Sequence, residues 1–121
     1  MNNVTLLGRL TRDPEIREGK DGFIVANYTM AVDRPFKNKD GEREADFIRC
    51  QAFGKAAEFA ETYLEKGMMI GVRGSIRTGS YENKDGQTVY TTDVVVENHY
   101  FTGSVKKEEK DEPERGRRGR R

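Results

Sequence analysis

The stretch from Asp46 to Lys66 reads DFIRCQAFGKAAEFAETYLEK and contains a strand pattern followed by a helix pattern. Its first half alternates between two sets of side chains, which therefore face opposite sides of a strand. One set is small or aliphatic, as a core face requires: Ile48, Cys50 and Ala52. The other set is aromatic at its ends and polar between them: Phe47, Arg49, Gln51 and Phe53. Two interpretations carry equal weight: a strand buried on both faces, or a surface on which bases stack and phosphates meet Arg.

The second half of the stretch has the spacing of an amphipathic helix. Apolar residues recur at i, i+3, i+4, i+7 and i+8, which predicts a buried helical face: Ala56, Phe59, Ala60, Tyr63 and Leu64. Gly67 follows as the expected C-terminal cap. The acidic residues of the opposite face, Glu58, Glu61 and Glu65, have the spacing of a solvated surface and predict no acid-base site.

Two strands are predicted before this stretch. Residues 3–10 form a short apolar strand in which Gly8 marks a bulge or a close approach of backbone. Residues 23–33 alternate regularly and predict a long, half-buried strand, with Tyr28 and Met30 on one face and Asn27 and Thr29 on the other. A further short strand at residues 15–18 is compatible with the pattern.

Two more strands are predicted after the helix, at residues 68–77 and 88–101. The turn between them, residues 82–87, contains Asp85-Gly86 and predicts a projecting hairpin that carries Tyr81 and Lys84. Residues 34–45 are interpreted as a polar loop that contains an aromatic ring, Phe36. That ring either folds back to cap the barrel or stacks on a base.

The predicted order is three strands, one helix and two strands. This is the order of an OB-fold, an all-β, five-stranded, partly open barrel with one α-helix between its third and fourth strands. OB-folds bind oligonucleotides or oligosaccharides, so the fold by itself leaves the ligand open. We expect one domain, residues 1–103, followed by a charged tail, residues 104–121.

Composition excludes several classes of function. The 121 residues include one Cys and one His, which predicts no disulfide, no metal cofactor and no nucleophile-base pair of a hydrolase. Gly54-Lys55 resembles the end of a phosphate-binding loop, but Arg49 and Ala56 stand where that motif needs Gly and Ser or Thr. We therefore expect a protein that is not an enzyme. With no signal peptide and no membrane span in the sequence, we expect a cytoplasmic location.

Charge differs between the two regions of the chain. Residues 1–103 contain 14 Lys+Arg and 16 Asp+Glu, a net charge of −2, whereas residues 104–121 contain 8 and 5, a net charge of +3. Nucleic-acid binding by the folded part must therefore depend on a local patch, because its total charge provides no long-range attraction.

Five blocks of sequence carry a family resemblance: NNVTLLGRLTRDPEIR, VANYTMAV, DFIRCQAFGKAAEFAETYLEKG, VRGSIRTGSY and YTTDVVVE. In this order, from Asn3 to about Phe101, the chain resembles the bacterial single-stranded-DNA-binding proteins. The resemblance implies sequence-independent binding and protection of single-stranded DNA in replication, recombination and repair, and a homotetramer. An alternative is an OB-fold module that binds RNA or serves as a primosomal accessory protein.

The resemblance also assigns candidate contacts by position. The implied stacking rings are Phe36, Phe47, Phe53 and Tyr81. The implied basic contacts are Arg49, Lys55, Lys66 and Arg77. The open basic face of the strand at residues 68–77 adds Arg73, and the projecting hairpin adds Lys84. Family members often have Trp at three of the aromatic positions, and this chain has no Trp, so we expect a smaller stacking surface.

The end of the chain departs from the family pattern. The bacterial proteins usually finish in an acidic tip ending Pro-Phe that recruits replication and repair enzymes, whereas this sequence ends RGRRGRR. A truncated chain and a phage or diverged version both fit this difference. Residues 104–121 are highly charged and almost free of apolar groups, which predicts disorder. They act either as a solvated linker or as an auxiliary phosphate contact.

Overall fold

The computed structural model describes residues 1–102, which form six strands and one helix. In chain order these are β1 (Val4–Leu10), β2 (Glu15–Glu18), β3 (Ile24–Lys37), β4 (Arg43–Phe53), α1 (Lys55–Tyr63), β5 (Met69–Glu82) and β6 (Thr88–Phe101). Within this range, no helix is long and apolar enough to cross a bilayer. The predicted disorder of residues 104–121 lies outside the described residues.

Five of the strands close into a barrel in the order β1, β5, β6, β4 and β3, and β3 returns to β1. The closing contact is short, with Arg9 opposite Ala31 and Leu10 opposite Met30. Strand β2 extends the outer edge of β3 and lies outside the barrel. The predicted all-β OB-fold barrel is confirmed, and its helix lies between the third and fourth barrel strands, β4 and β5.

The barrel core follows the predicted alternation of β3 and β4. The inward residues of these two strands are buried: Ala26, Tyr28, Met30, Cys50 and Ala52. Ile48, on the same face of β4, is partly buried and packs against this core. From the opposite wall, Ile70 and Val72 of β5 are fully buried. Because Phe47 and Arg49 on the other face are exposed, the interpretation of β4 as a strand buried on both faces is wrong.

Two glycines allow backbones to approach closely in the barrel wall. A Cβ on Gly8 would overlap the carbonyl oxygen of Ala31 where β1 crosses β3, so the predicted close approach is confirmed. A Cβ on Gly74 would overlap the carbonyl oxygen of Val95, beside the irregularity in the β5–β6 register. Any side chain at either position would force the strands apart.

The end of the helix differs from the prediction. Helix α1 ends at Tyr63, and Leu64 is already extended while its N–H donates to the carbonyl of Ala60. Gly67, with φ of 86°, lies in the following turn and donates its N–H to the carbonyl of Leu10 over 2.8 Å. The prediction that Gly67 caps the helix is therefore wrong, because tertiary contact with β1 determines where the chain turns.

The strands also run further than predicted, into two projecting arms. Strand β3 continues to Lys37, so residues 34–37 belong to a hairpin with β4 and the predicted loop is shorter. Arg34 holds this arm together, because its guanidinium binds Asp46 at 2.8 Å and Glu44 at 3.2 Å. Strand β5 continues to Glu82 and forms the second arm with β6. Ion pairs across a hairpin support polar strands that carry no apolar alternation.

The tips of the two arms share the sequence Asn-Lys-Asp-Gly and the same hydrogen bonds. Asn38 Oδ1 accepts the N–H groups of Asp40 and Glu42 at 2.9 Å, and Asn83 Oδ1 accepts those of Asp85 and Gln87 at 2.9 Å. The glycine of each tip, Gly41 or Gly86, has φ of 80°. An Asn side chain that satisfies local N–H groups and a Gly at positive φ make a compact turn.

Candidate nucleic-acid interface

An open groove of about 1000 Å³ lies over the outer face of β3 and β4. Its floor consists of outward residues of these strands, and its other wall comes from the β1–β2 connection and β2. The outward residues lie opposite one another in pairs: Val25 and Phe53, Asn27 and Gln51, Thr29 and Arg49. The groove floor therefore combines an aromatic ring, two amides, a hydroxyl and a guanidinium on one surface.

Two of the predicted aromatic rings, Phe47 and Phe53, lie on this face of β4. Phe47 is 69% exposed and lies beyond the groove lining, opposite Ala31. Phe53 lines the groove and stacks on Phe23, with ring centroids 6.3 Å apart and an interplanar angle of 18°. The face thus has one open ring, Phe47, and one ring, Phe53, that already stacks on another ring of the groove lining.

The other two predicted rings lie on the arms. Phe36 is 79% exposed on the β3–β4 arm, and Tyr81 is 58% exposed on the β5–β6 arm. Neither ring lines the groove. Phe36 does not fold back to cap the barrel, because the continuation of β3 carries it outward.

The predicted arginines differ in their surroundings. Arg49 lines the groove, and its Nε and Nη2 both lie 2.8 Å from Asp93 Oδ1. Arg77 lies opposite Asp93 in the β5–β6 register. Arg73 is outside the groove, between Thr5 of β1 and Asn98 of β6, and it binds Asn98 at 2.7 Å and Glu97 at 3.4 Å.

The predicted lysines are exposed and lie apart from one another. Lys55 is the first residue of α1, and Lys84 lies at the tip of the β5–β6 arm. Lys66 follows the helix, and its backbone N–H donates to Asp13 Oδ1 over 2.7 Å. Since Asp13 lines the groove, Lys66 adjoins the groove wall without lining it.

Several groove residues were absent from the predicted site. Alternation already placed Asn27 and Gln51 on the face of Arg49, and that signal was sufficient to include them. Phe23 and Asp93 gave no such signal, because their roles depend on Phe53 and Arg49, which are distant in sequence. Tyr90 was also missed: alternation places it on the side of the buried Val94, but the arm carries it beyond the barrel into solvent.

Three titratable groups have shifted pKa values: Tyr28 and Cys50, which line the groove, and His99, which stacks on Phe59 of the helix. Burial lowers the pKa of His99 to about 4, and it raises the pKa of the Tyr28 hydroxyl well above its usual value. The Tyr28 hydroxyl and His99 Nε2 are 2.7 Å apart. Burial, with a further contribution from Asp93, raises the pKa of the Cys50 thiol to about 12. At neutral pH all three groups are uncharged, and Tyr28 and Cys50 form part of the packed core.

Comparison with known proteins identifies the family of this chain. Residues 1–102 match the model of the single-strand binding protein family. A single-stranded DNA-binding protein of Halalkalibacterium halodurans is 52% identical over 101 residues, which are 84% of this chain and 60% of the relative. The protein of the same description from Oceanobacillus iheyensis is 50% identical over 101 residues, 84% of this chain and 63% of the relative.

A Staphylococcus aureus single-stranded DNA-binding protein is 52% identical over 101 residues, 84% of this chain and 65% of the relative. The chain thus spans about 60 to 65% of the length of these three relatives. The matched region contains the whole barrel and both arms. The chain belongs to the single-strand binding protein family.

Proposed function

We propose that this chain binds single-stranded DNA with little sequence preference. The observation that carries the proposal is the outer face of β4, where Phe47, Arg49, Gln51 and Phe53 follow one another beside an open groove. Bases stack on aromatic rings, and cationic and amide groups between the rings bind the backbone and the base edges. The exposed Phe36 and Tyr81 provide two further rings, one on each arm.

The proposed lack of sequence preference has a physical basis. Every base has a face that stacks on a ring, so stacking selects weakly. The side chains of Asn27 and Gln51 make no hydrogen bond to any residue between 1 and 102. Each amide offers both a donor and an acceptor, which complements the edge of any base after a flip of the amide. The groove therefore provides hydrogen bonds without demanding one base.

We further propose that the chain covers and protects single-stranded DNA in replication, recombination and repair, which requires binding and no chemical step. This role corresponds to a cytoplasmic protein. Residues 1–103 would form the binding domain, and the charged residues 104–121 a linker or an auxiliary phosphate contact.

A homotetramer is proposed as the working assembly. Strand β1 pairs with β5 from Val4 to Arg9 but with β3 only at Arg9 and Leu10. Within the described residues, the other edge of Val4 to Gly8 has no strand partner, and Leu7 beside it is 55% exposed. An open strand edge with an exposed apolar residue favours pairing with another chain.

The test is a titration of the full chain with poly(dT) at two salt concentrations, with duplex DNA and poly(U) as competitors. We expect tight binding to poly(dT), weak competition by duplex DNA, and weaker binding at higher salt. Duplex of equal length that competes as well as poly(dT) would contradict the stacking mechanism. Stronger binding to poly(U) than to poly(dT) would favour the RNA-binding alternative.

A further inference from the structure

The arginine of the groove floor, Arg49, is bound to a carboxylate of its own chain. Arg49 donates from Nε and from Nη2 to one oxygen of Asp93, both over 2.8 Å. The side chain of Asp93 is only 17% exposed, whereas that of Arg49 is 60% exposed. The carboxylate is therefore largely withdrawn from water, and most of the guanidinium is left facing the groove.

We propose that Asp93 is a positioning residue for DNA binding, which keeps the charge of Arg49 neutralised so that Arg49 contacts bases and leaves phosphates to Arg77. This inference rests on the proposed binding of single-stranded DNA. It assigns different tasks to two arginines on the same outer face, and it gives an acidic residue a role in binding an anionic polymer.

The geometry of the pair supports a base contact by Arg49. Asp93 uses the Nε and Nη2 edge, so the Nη1 group and the faces of the guanidinium plane stay available to a ligand. A planar guanidinium fixed along one edge stacks well on a flat ring. Its neighbours in the groove floor, Thr29 and Gln51, are also groups that contact bases.

A phosphate contact by Arg49 would instead have to displace Asp93. That exchange would leave a largely buried carboxylate without its partner beside a phosphate of the same charge, which is unfavourable on both counts. Arg77 lies opposite Asp93 in the strand register but makes no ion pair within residues 1–102. Its charge is therefore available to the DNA backbone, so the Arg49–Asp93–Arg77 group has one uncompensated positive charge.

The slope of log K against log[salt] tests this assignment, because single-stranded DNA binding loses about 0.7 in slope for each phosphate contact removed. We expect Arg77→Ala to flatten the slope for poly(dT) by about 0.7. Arg49→Ala should weaken binding about tenfold or more, as the loss of a base contact does, with an unchanged slope. Asp93→Asn should free Arg49 for a phosphate, steepen the slope by about 0.7 and tighten binding at low salt.

A double variant separates this mechanism from simple removal of negative charge. In Arg49→Ala/Asp93→Asn the slope should return to that of the wild type, since no freed arginine remains. Asp33→Asn is the matched control. Asp33 is an exposed carboxylate on the outer face of β3, and it makes no ion pair in residues 1–102. It should leave the slope unchanged.

Two outcomes would overturn the assignment. The first is a slope flattened by about 0.7 in Arg49→Ala alone, which would show a phosphate contact by Arg49. The second is a slope that Asp93→Asn steepens equally in the presence and in the absence of Arg49. That result would show that Asp93 acts only by repelling the DNA phosphates. The Arg49→Ala and Arg77→Ala slopes decide the matter even if Asp93→Asn does not fold. Wild-type protein that fails to bind poly(dT) would instead contradict the proposed function itself.

Discussion

Phe47 and Phe53 lie on the same face of β4 but in different surroundings. Phe47 is largely exposed, whereas Phe53 is half-buried and stacked on Phe23. The next residue after Phe47, Ile48, faces the other way and packs against the core. Neighbouring positions in one strand thus separate ligand contact from stability.

We predict that Phe47→Ala weakens binding to poly(dT) by roughly 1 to 3 kcal/mol, the general cost of a lost base stack in single-strand-binding OB-folds rather than a value specific to this chain. Its unfolding free energy should change little because the ring is exposed. Phe53→Ala should lose similar affinity and, in addition, on the order of 1 kcal/mol of stability with the Phe23 contact. Titration and urea unfolding measure the two effects.

Ile48→Ala is the control on the opposite face of the same strand. It should lower the unfolding free energy by about 2 kcal/mol, because it removes core contacts, and leave the affinity of the folded protein unchanged. A large loss of stability in Phe47→Ala, with normal affinity in the molecules that remain folded, would contradict the assignment of Phe47 to the ligand.

His99 makes stability depend on pH. Its pKa is lowered to about 4 by burial, against an ordinary value of 6.5, so the unfolded chain takes up a proton at a higher pH than the folded chain. The contribution of neutral His99 is complete above pH 6.5 and is lost as the pH falls from 6.5 towards 4. We predict that His99→Gln, which cannot titrate, loses less unfolding free energy than the wild type between pH 7 and pH 5.

Urea unfolding of both proteins at the two pH values measures this difference, since the exposed carboxylates contribute equally to each. Gln is chosen because its amide retains a hydrogen-bonding group for the Tyr28 hydroxyl, which is 2.7 Å from His99 Nε2. Equal losses in the two proteins would show that His99 does not determine the acid sensitivity.

The two arms are elements whose function depends on their tips. Each carries an exposed aromatic ring, Phe36 or Tyr81, on strands that extend beyond the barrel core. Outside the core, burial cannot hold the strands together. The Asn-Lys-Asp-Gly tips and, in the first arm, the Arg34 ion pairs do so instead.

We predict that Asn38→Ala loosens the β3–β4 arm, because Asn38 Oδ1 accepts two backbone N–H groups at the tip. The unfolding free energy should fall by about 1 kcal/mol. Amides of residues 34–46 should exchange faster with solvent, and binding to poly(dT) should weaken by less than it does in Phe36→Ala.

Asn83→Ala provides the matched comparison, since it removes the same two hydrogen bonds from the other arm. Faster exchange should then appear in the β5–β6 arm only. If either variant accelerates exchange in both arms or in neither, the tips do not act as local clamps.

At the scale of the whole molecule, charge is balanced within the barrel surface. Four arginines of the described region, Arg17, Arg34, Arg49 and Arg73, are within 4 Å of carboxylates. Together with the net charge of −2 over residues 1–103, this pairing reduces the positive charge that the folded part offers to DNA. Binding by the barrel must then depend more on stacking than on long-range attraction.

We predict that the chain is a homotetramer in solution, because the unpaired edge of β1 needs a partner strand. Static light scattering at micromolar concentration should give about four times the 13.8 kDa chain mass. Replacing the exposed Leu7 by Lys should reduce the assembly while the barrel remains folded, since Leu7 faces solvent in the single chain. A mass of one chain for the wild type would contradict the prediction.

Local patterns in the sequence were enough to predict the barrel strands, the single helix and the two faces of β4. Alternation and turn residues are local signals, and the central inward positions of β3 and β4 are buried because the barrel core excludes water, while Ile24, Val32 and Ile48 are partly buried and pack against it. The same signals failed outside the core. Residues 34–37 lack alternation yet form a strand, because polar contacts hold that arm together.

Which residues share the groove depends on the tertiary structure. Phe23 meets Phe53 across a turn and a strand pairing, Asp93 meets Arg49 from a strand 44 residues away, and Arg73 binds Asn98 and Glu97 of β6 outside the groove. Residues that are distant in sequence come together through strand register and barrel closure. Neither is encoded in the local pattern, because register depends on the packing of all five strands at once.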